Sequence, residues 1–205
     1  MNANDHLRTL IIGGSESGKS TWIINFLINP EQLDVKPFKK IYIFTTEGRK
    51  NGSAFNRIRN AEYHTYSDEE LGKVFDSHNI RERGVIVMDD PAGMRSRFMS
   101  NNQNFENIFA GGGRHRNLSL ILACQKLTLY PPLVRLNAKE IIMFDLGNYA
   151  QVQSFCRDFL PIDAPIFRRF YGAYFDKKYK TLVMQKDGAN WKFYDGQSGE
   201  LIVLK

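Results

Sequence analysis

Cysteine is nearly absent from this chain of 205 residues: there are two, Cys124 and Cys156. Neither stands at a metal-binding or redox spacing. That removes a disulfide scaffold and a thiolate metal site, and leaves two buried free thiols in a reducing compartment as the expectation. The four histidines show no metal-ligand spacing either. No apolar run approaches the roughly 20 residues that a membrane-spanning helix needs, and Met1 to Leu7 carry no signal-peptide pattern. An intracellular, soluble protein without a membrane span is expected. Internal repeats, low-complexity tracts and long runs of one charge are also missing. The formal net charge of +6 is a bias towards acidic partners and not by itself a nucleic-acid signature.

What is present is enough apolar material, 42% of the residues, for the core of one large domain. One stretch organises it: Gly13-Gly14-Ser15-Glu16-Ser17-Gly18-Lys19-Ser20-Thr21. It follows the apolar run Leu7 to Ile12 and opens an apolar helical pattern, Trp22 to Ile28. Strand, glycine-rich loop and helix is the order in which a phosphate-binding loop is built. Gly13, Gly18, Lys19 and Ser20 meet the spacing G-x-x-x-x-G-K-[ST]. The glycines let backbone N–H groups close around a polyphosphate, and the helix N-terminus adds its partial positive charge. Lys19 would reach the β- and γ-phosphates of ATP, and the Ser20 hydroxyl would ligate Mg²⁺.

Along the rest of the chain, apolar or β-rich runs at Lys40 to Thr45, Tyr63 to Tyr66, Gly84 to Asp90, Leu118 to Gln125 and Ala138 to Phe144 read as strands. Helices are expected after Lys19, after Ser67 (an N-cap with Glu70 three residues on), and over residues 148–160 and 163–173, separated by Pro161. Residues 47–60 read as an exposed loop or short helix, and 91–113 as irregular and polar. Thr181 to Gln185, Trp191 to Tyr194 and Leu201 to Leu204 read as short antiparallel strands. The expected fold is α/β: a mainly parallel central sheet flanked by helices, with short antiparallel C-terminal strands. It forms a single domain over residues 1–205, with a core at about 7–145 and an extension at about 146–205. Phe167, Phe170, Tyr171, Tyr174 and Phe175 of that extension read as core.

Ligands on parallel sheets bind at the carboxyl ends of the strands, and three candidates gather there with the phosphate loop. Asp89 is placed to hold Mg²⁺ and Asp90 to orient or deprotonate an attacking water; without the phosphate loop the pair would read as an acidic strand end turned by Pro91. Gln125 either contacts the γ-phosphate or the water, or is an ordinary strand-terminal amide. Gly113-Arg114-His115-Arg116 lies at the opposite end of the sheet. It is a solvated basic turn or, in a ring, an arginine finger for the next subunit's nucleotide. Residues 91–113 exceed the length of a plain connection and hold Arg95, Arg97 and Met99. They form a surface loop or a phosphate-backbone contact for nucleic acid.

Taken together, the phosphate loop, the apolar run ending in Asp89-Asp90, Gly113-Arg114-His115 before a strand and Ala123-Cys124-Gln125 ending it resemble one family. It is the viral genome-packaging ATPases of the FtsK/HerA-type translocases, found in poxviruses, giant viruses, virophages and tailless double-jelly-roll viruses. The resemblance covers about residues 7–145. It implies a RecA-like P-loop NTPase core whose subunits form a homo-oligomeric ring, a hexamer or pentamer. That ring would hydrolyse ATP at subunit boundaries and move double-stranded DNA into a preformed capsid. It further implies Lys19 and Ser20 on phosphate and Mg²⁺, Asp89 in the Walker B site, Asp90 as the catalytic acid, Gln125 as sensor, and Arg114, with Arg116 second, as the finger. Wider relatives carry Glu where this chain has Asp90. Capsid or portal-vertex proteins are implied as partners, and the host cytoplasm and the packaging vertex of a virion as locations.

Three other readings stand beside this one: a small-molecule kinase, a non-hydrolysing nucleotide switch or assembly factor, and a conjugation or secretion motor of the same superfamily. Gly113-Arg114-His115 and the terminal Gln125 fit a kinase poorly, and the Asp89-Asp90 pair weighs against a switch. If residues 91–113 touch DNA, replacing Arg95 and Arg97 with Ala will weaken duplex binding and reduce its salt dependence. Filter-binding titrations at several salt concentrations measure both, and an unchanged affinity and slope returns the segment to a plain surface loop.

Overall fold

The computed structural model describes residues 6–45, 54–89, 103–126, 130–160, 164–188 and 190–204. Among the described residues nine strands form one sheet in the order β3-β2-β4-β5-β1-β6-β7-β8-β9. They are β1 (Arg8–Ile12), β2 (Lys40–Thr45), β3 (Ala61–Thr65), β4 (Gly84–Asp89), β5 (Leu118–Cys124), β6 (Glu140–Met143), β7 (Leu182–Asp187), β8 (Asn190–Asp195) and β9 (Leu201–Ile202). The pairings among β1 to β6 are parallel, and those from β6 through β9 are antiparallel. The strand carrying the glycine loop lies centrally, with β5 on one side and β6 on the other.

Both faces are covered, which is why the inner strands read as continuous apolar runs. Alternation still decides which way each side chain points. Leu10 and Ile12 of β1 join one core cluster, and Ile11 joins the other. On the second face α1 (Lys19–Ile28) packs with Ile23, Ile24, Phe26 and Leu27. On the first lie α2 (Asp68–Ser77), α6 (Tyr149–Phe159) and α7 (Ala164–Tyr174), contributing Leu71, Val74, Phe155 and Phe167. The C-terminal aromatics belong to this core: Phe167 and Tyr174 are buried, and Phe170, Tyr171 and Phe175 pack against them. Cys124 and Cys156 are buried free thiols. Among the described residues no helix is long and apolar enough to cross a membrane.

The N-cap expected at Ser67 is present, its Oγ accepting from the Glu70 N–H at 3.0 Å, while the Glu70 carboxylate turns instead to His64 Nδ1. Two regions depart from the sequence expectation. Residues 103–113 are helical, not irregular: α3 (Gln103–Asn107) runs into a π turn at Ile108–Gly112 and then α4 (Gly113–His115). Phe105, Ile108 and Phe109 are buried at helical spacing, and Phe105 stacks on Tyr130 at 6.1 Å between ring centres. The Asp68 carboxylate accepts from the backbone N–H groups of Asn104 and Phe105 and so starts the helix from another element. The second departure is α5 (Pro132–Asn137), opened by a proline at its first position and absent from the sequence reading. Smaller differences are at strand ends. β5 stops at Cys124, leaving Gln125 in the bend beyond it, and β6 is shorter than Ala138 to Phe144. Residues 46–53, 90–102 and 161–163, and with them the strand end at Asp90, Arg95, Arg97, Met99 and the Pro161 break, lie outside the described residues.

Glu140 on β6 is buried with a charged side chain. Its Oε2 accepts from Thr9 Oγ1 at 3.1 Å and its Oε1 from Gln185 Nε2 at 3.2 Å. Burial pushes this carboxyl above its ordinary 4.5, with the two donors pulling it partly back. A carboxyl whose pKa rises on folding holds more protons in the native state than in the unfolded one. Stability is therefore lost as pH climbs above 4.5 through the folded value. Glu140→Gln should flatten that decline above 4.5, read from urea unfolding at stepped pH; a slope equal to the parent's would show that Glu140 is not its source.

Candidate nucleotide-binding site

The loop from Gly13 to Gly18 leaves the end of β1 and turns into α1 against the end of β6. A β-carbon at Gly13 would stand 2.6 Å from Ser17 Oγ and 2.7 Å from Phe144 Cβ, so only glycine fits. Gly18 caps α1 at φ 105°, in the left-handed region, and supplies no side chain to the helix's first N–H groups. Glu16 at the apex also has positive φ, 57°. These features hold a ring of backbone N–H groups open for an anion, with no acidic residue in the first turn of α1.

Two backbone hydrogen bonds pin the loop to its neighbours: Gly13 N–H to Cys124 O at 3.3 Å, and Gly14 N–H to Asp145 O at 2.7 Å. Asp145 is itself held by Tyr171, whose hydroxyl donates to Asp145 Oδ1 at 2.5 Å and accepts from the Leu146 N–H at 2.6 Å. Burial, then this carboxylate, pushes the Tyr171 phenol well above its ordinary range, so it stays a donor.

Lys19 is 6% exposed. Its Nζ donates to the carbonyls of Gly13 at 3.0 Å and Gly14 at 2.6 Å, which places the cation inside the cradle. Ser20 Oγ donates to Asp89 Oδ2 at 3.0 Å across a gap of 69 residues. A hydroxyl and a carboxylate meeting at the mouth of a phosphate loop are the donor set that Mg²⁺ takes in such sites, so these residues fit the ion. Gln125 stands half-buried just past the end of β5, between the strand ends that carry the loop and Asp89. Ser15 and Thr21 are exposed at the rim, and Ser17 lies inside against Gly13. The sequence candidates thus converge at one end of the sheet, with Asp90 outside the described residues.

Arg114 and Arg116 lie at the other end, before β5. Arg116 is taken up locally: its guanidinium lies over the Phe75 ring at 5.1 Å and donates to Asp76 O at 3.2 Å. Arg114 instead lines a cavity of about 260 Å³ with His6, Arg8, Ile108 and Lys139. Burial first, and the Arg114 charge second, lowers the Arg8 guanidinium's pKa. The supports of the loop, Asp145, Phe144 and Tyr171, were not marked by the sequence. They act through a backbone carbonyl, a van der Waals wall and a phenol on a distant helix, none of which has a motif.

Neither a protein-family model nor a curated protein matches the chain in sequence. Solved structures do match in fold. The genome packaging NTPase B204 from Sulfolobus turreted icosahedral virus 2 in complex with AMP superposes with a TM-score of 0.63 at 20% identity, over 100% of this chain and 98% of that one. Its complex with ATP-γS gives 0.63 at 18% identity with the same coverage of 100% and 98%. The cytoplasmic domain of the Thermomonospora curvata type VII secretion ATPase EccC gives 0.58 at 12% identity, over 91% of this chain and 25% of that one. At these identities the likeness is one of fold, a P-loop NTPase with a mainly parallel sheet and antiparallel C-terminal strands.

Gly13→Ala should lower affinity for ATP by tenfold or more, about 1.4 kcal/mol, because the loop must move away from Phe144. Titration calorimetry beside circular dichroism measures this; unchanged affinity with an unchanged spectrum would show that the close approach is not needed.

Proposed function

We propose that this chain is an ATP hydrolase that drives double-stranded viral DNA into a preformed capsid. The observation that carries the reading is the Lys19-filled glycine cradle with the Ser20–Asp89 pair at its mouth, in a fold followed end to end by B204. In this reading residues 13–21 form the cradle: Gly13 and Gly14 tie it to Cys124 and Asp145, the N–H groups that follow them hold the ATP phosphates, and Lys19 neutralises the β- and γ-oxygens. Ser20 and Asp89 hold Mg²⁺, which supplies charge neutralisation at the phosphates. Asp90, next after β4, orients the attacking water, and Gln125 senses the γ-phosphate from the bend just past β5.

Arg114 faces away from its own loop, so its charge serves a neighbour's nucleotide. That requires a homo-oligomeric ring, hexameric or pentameric, and favours Arg114 over the tethered Arg116 as the finger. Double-stranded DNA is the translocated partner, and capsid or portal-vertex proteins anchor the ring, in the host cytoplasm and at the packaging vertex. The likeness to EccC supports a second reading, a secretion or conjugation motor built on the same core.

Steady-state ATP hydrolysis with and without duplex DNA, with Lys19→Ala as the blank, tests the proposal. Stimulation by DNA is the expected result, and hydrolysis indifferent to DNA favours the protein-coupled motor. Arg114→Ala should reduce turnover by roughly a thousandfold while ATP still binds. Mixing Arg114→Ala with Lys19→Ala subunits should restore part of it, since one intact interface forms. No rescue in verified mixed rings would rule out action in trans.

A further inference from the structure

The phosphate chain of a nucleotide in this loop has a direction. On the proposed function its γ end lies towards the bonded Ser20–Asp89 pair, and Asp89 ends β4, which lies beyond β5 on one side of β1. The other end, with the sugar and base, must leave on the opposite side of β1, over the ends of β6 and β7.

An aromatic side chain stands there. Tyr179, in the turn before β7, brings its Cδ1 to within 3.2 Å of where a Gly18 β-carbon would lie, a point that is itself 3.4 Å from Phe144 Cε1. It is 60% exposed. Among the described residues its hydroxyl has no hydrogen-bond partner. Its backbone has φ 64°, a conformation uncommon for a bulky residue, and such strain gathers at ligand sites.

The turn is held on both flanks. The single Tyr174 hydroxyl proton is shared between Thr181 O at 2.8 Å and Asp195 Oδ2 at 2.7 Å, and Lys180 Nζ donates to Asp176 Oδ1 at 3.2 Å. Hydrophobic burial does not explain a ring so exposed, and tertiary contacts do not use its hydroxyl. A flat apolar face, preset beside a phosphate cradle, is what a nucleobase stacks on.

We propose that Tyr179 forms the nucleobase subsite of this chain, with a purine base of the bound nucleotide stacked on its ring. This rests on the reading of residues 13–21 as a nucleotide site. It assigns the C-terminal extension a direct part in ligand binding, with the turn at 177–180 meeting the base while the glycine loop meets the phosphates.

The experiment compares ATP with inorganic tripolyphosphate, which has the phosphates and no base, by competition titration on the full chain. Asn tolerates positive φ, so Tyr179→Asn removes the ring without adding backbone strain. The expected result is a loss of ATP affinity of roughly tenfold, within the range of base–aromatic stacking, with tripolyphosphate affinity unchanged. Tyr179→Phe should bind ATP like the parent. Equal losses for both ligands would make Tyr179 a prop of the loop and overturn the subsite, as would an unchanged ATP affinity or a Tyr179→Phe variant as weak as Tyr179→Asn. A parent chain that binds neither ligand would overturn the nucleotide site itself.

Discussion

Gly13 has no room for a β-carbon, and much of the molecule follows from that closeness. The loop after β1 must pass between Cys124 at the end of β5 and Phe144 at the end of β6, bonded to Cys124 on one side and to Asp145 on the other. Both contacts are made by backbone, so both depend on the sheet being in register: Ile12 beside Cys124, and Ile12 beside Met143. A slip of one residue in either pairing would flip every core side chain of that strand and pull the cradle apart. The apolar runs that fill the two cores therefore do more than stabilise the fold. They set the position of the loop against its walls.

The chemistry then divides between the two ends of the sheet. Lys19, Ser20, Asp89 and Gln125 sit where the parallel strands finish, and Arg8, Arg114 and Lys139 where they begin. Within one subunit these groups cannot meet. A lone copy holds a receptor for phosphate at one end and an excess of positive charge at the other. In the proposed ring, copies arranged head to tail would bring the two together, and hydrolysis would then be a property of the contact between neighbours.

Some of this was legible in the sequence and some was not, for reasons tied to how local each constraint is. The strand–loop–helix at residues 7–28 was readable because phosphate binding imposes its spacing on consecutive residues. Asp89 and Gln125 were readable because each ends a buried apolar run, and parallel strands deliver such ends to one place. The helix around Phe105 was not: asparagines and Gly111-Gly112-Gly113 mask its apolar face, and its cap comes from Asp68, 37 residues earlier. Spacing of Phe105, Ile108 and Phe109 was the available signal. Asp145, Tyr171 and Tyr179 matter through a carbonyl, a hydrogen bond and a ring position that exist only once α7 and β7 have packed beside β6.

The two margins of the sheet have a mechanical consequence. One is β9, two residues long and paired to β8 at Phe193 and Tyr194. The other is β3, which carries Glu62 in an ion pair with Lys40 of β2. A strand of two residues is too short to template another chain, and charge on an edge discourages pairing. For the proposed ring this means that neighbours meet through side chains at the strand ends and not by lengthening one continuous ladder. Such a joint can pivot during each turnover without any main-chain hydrogen bond between subunits having to break.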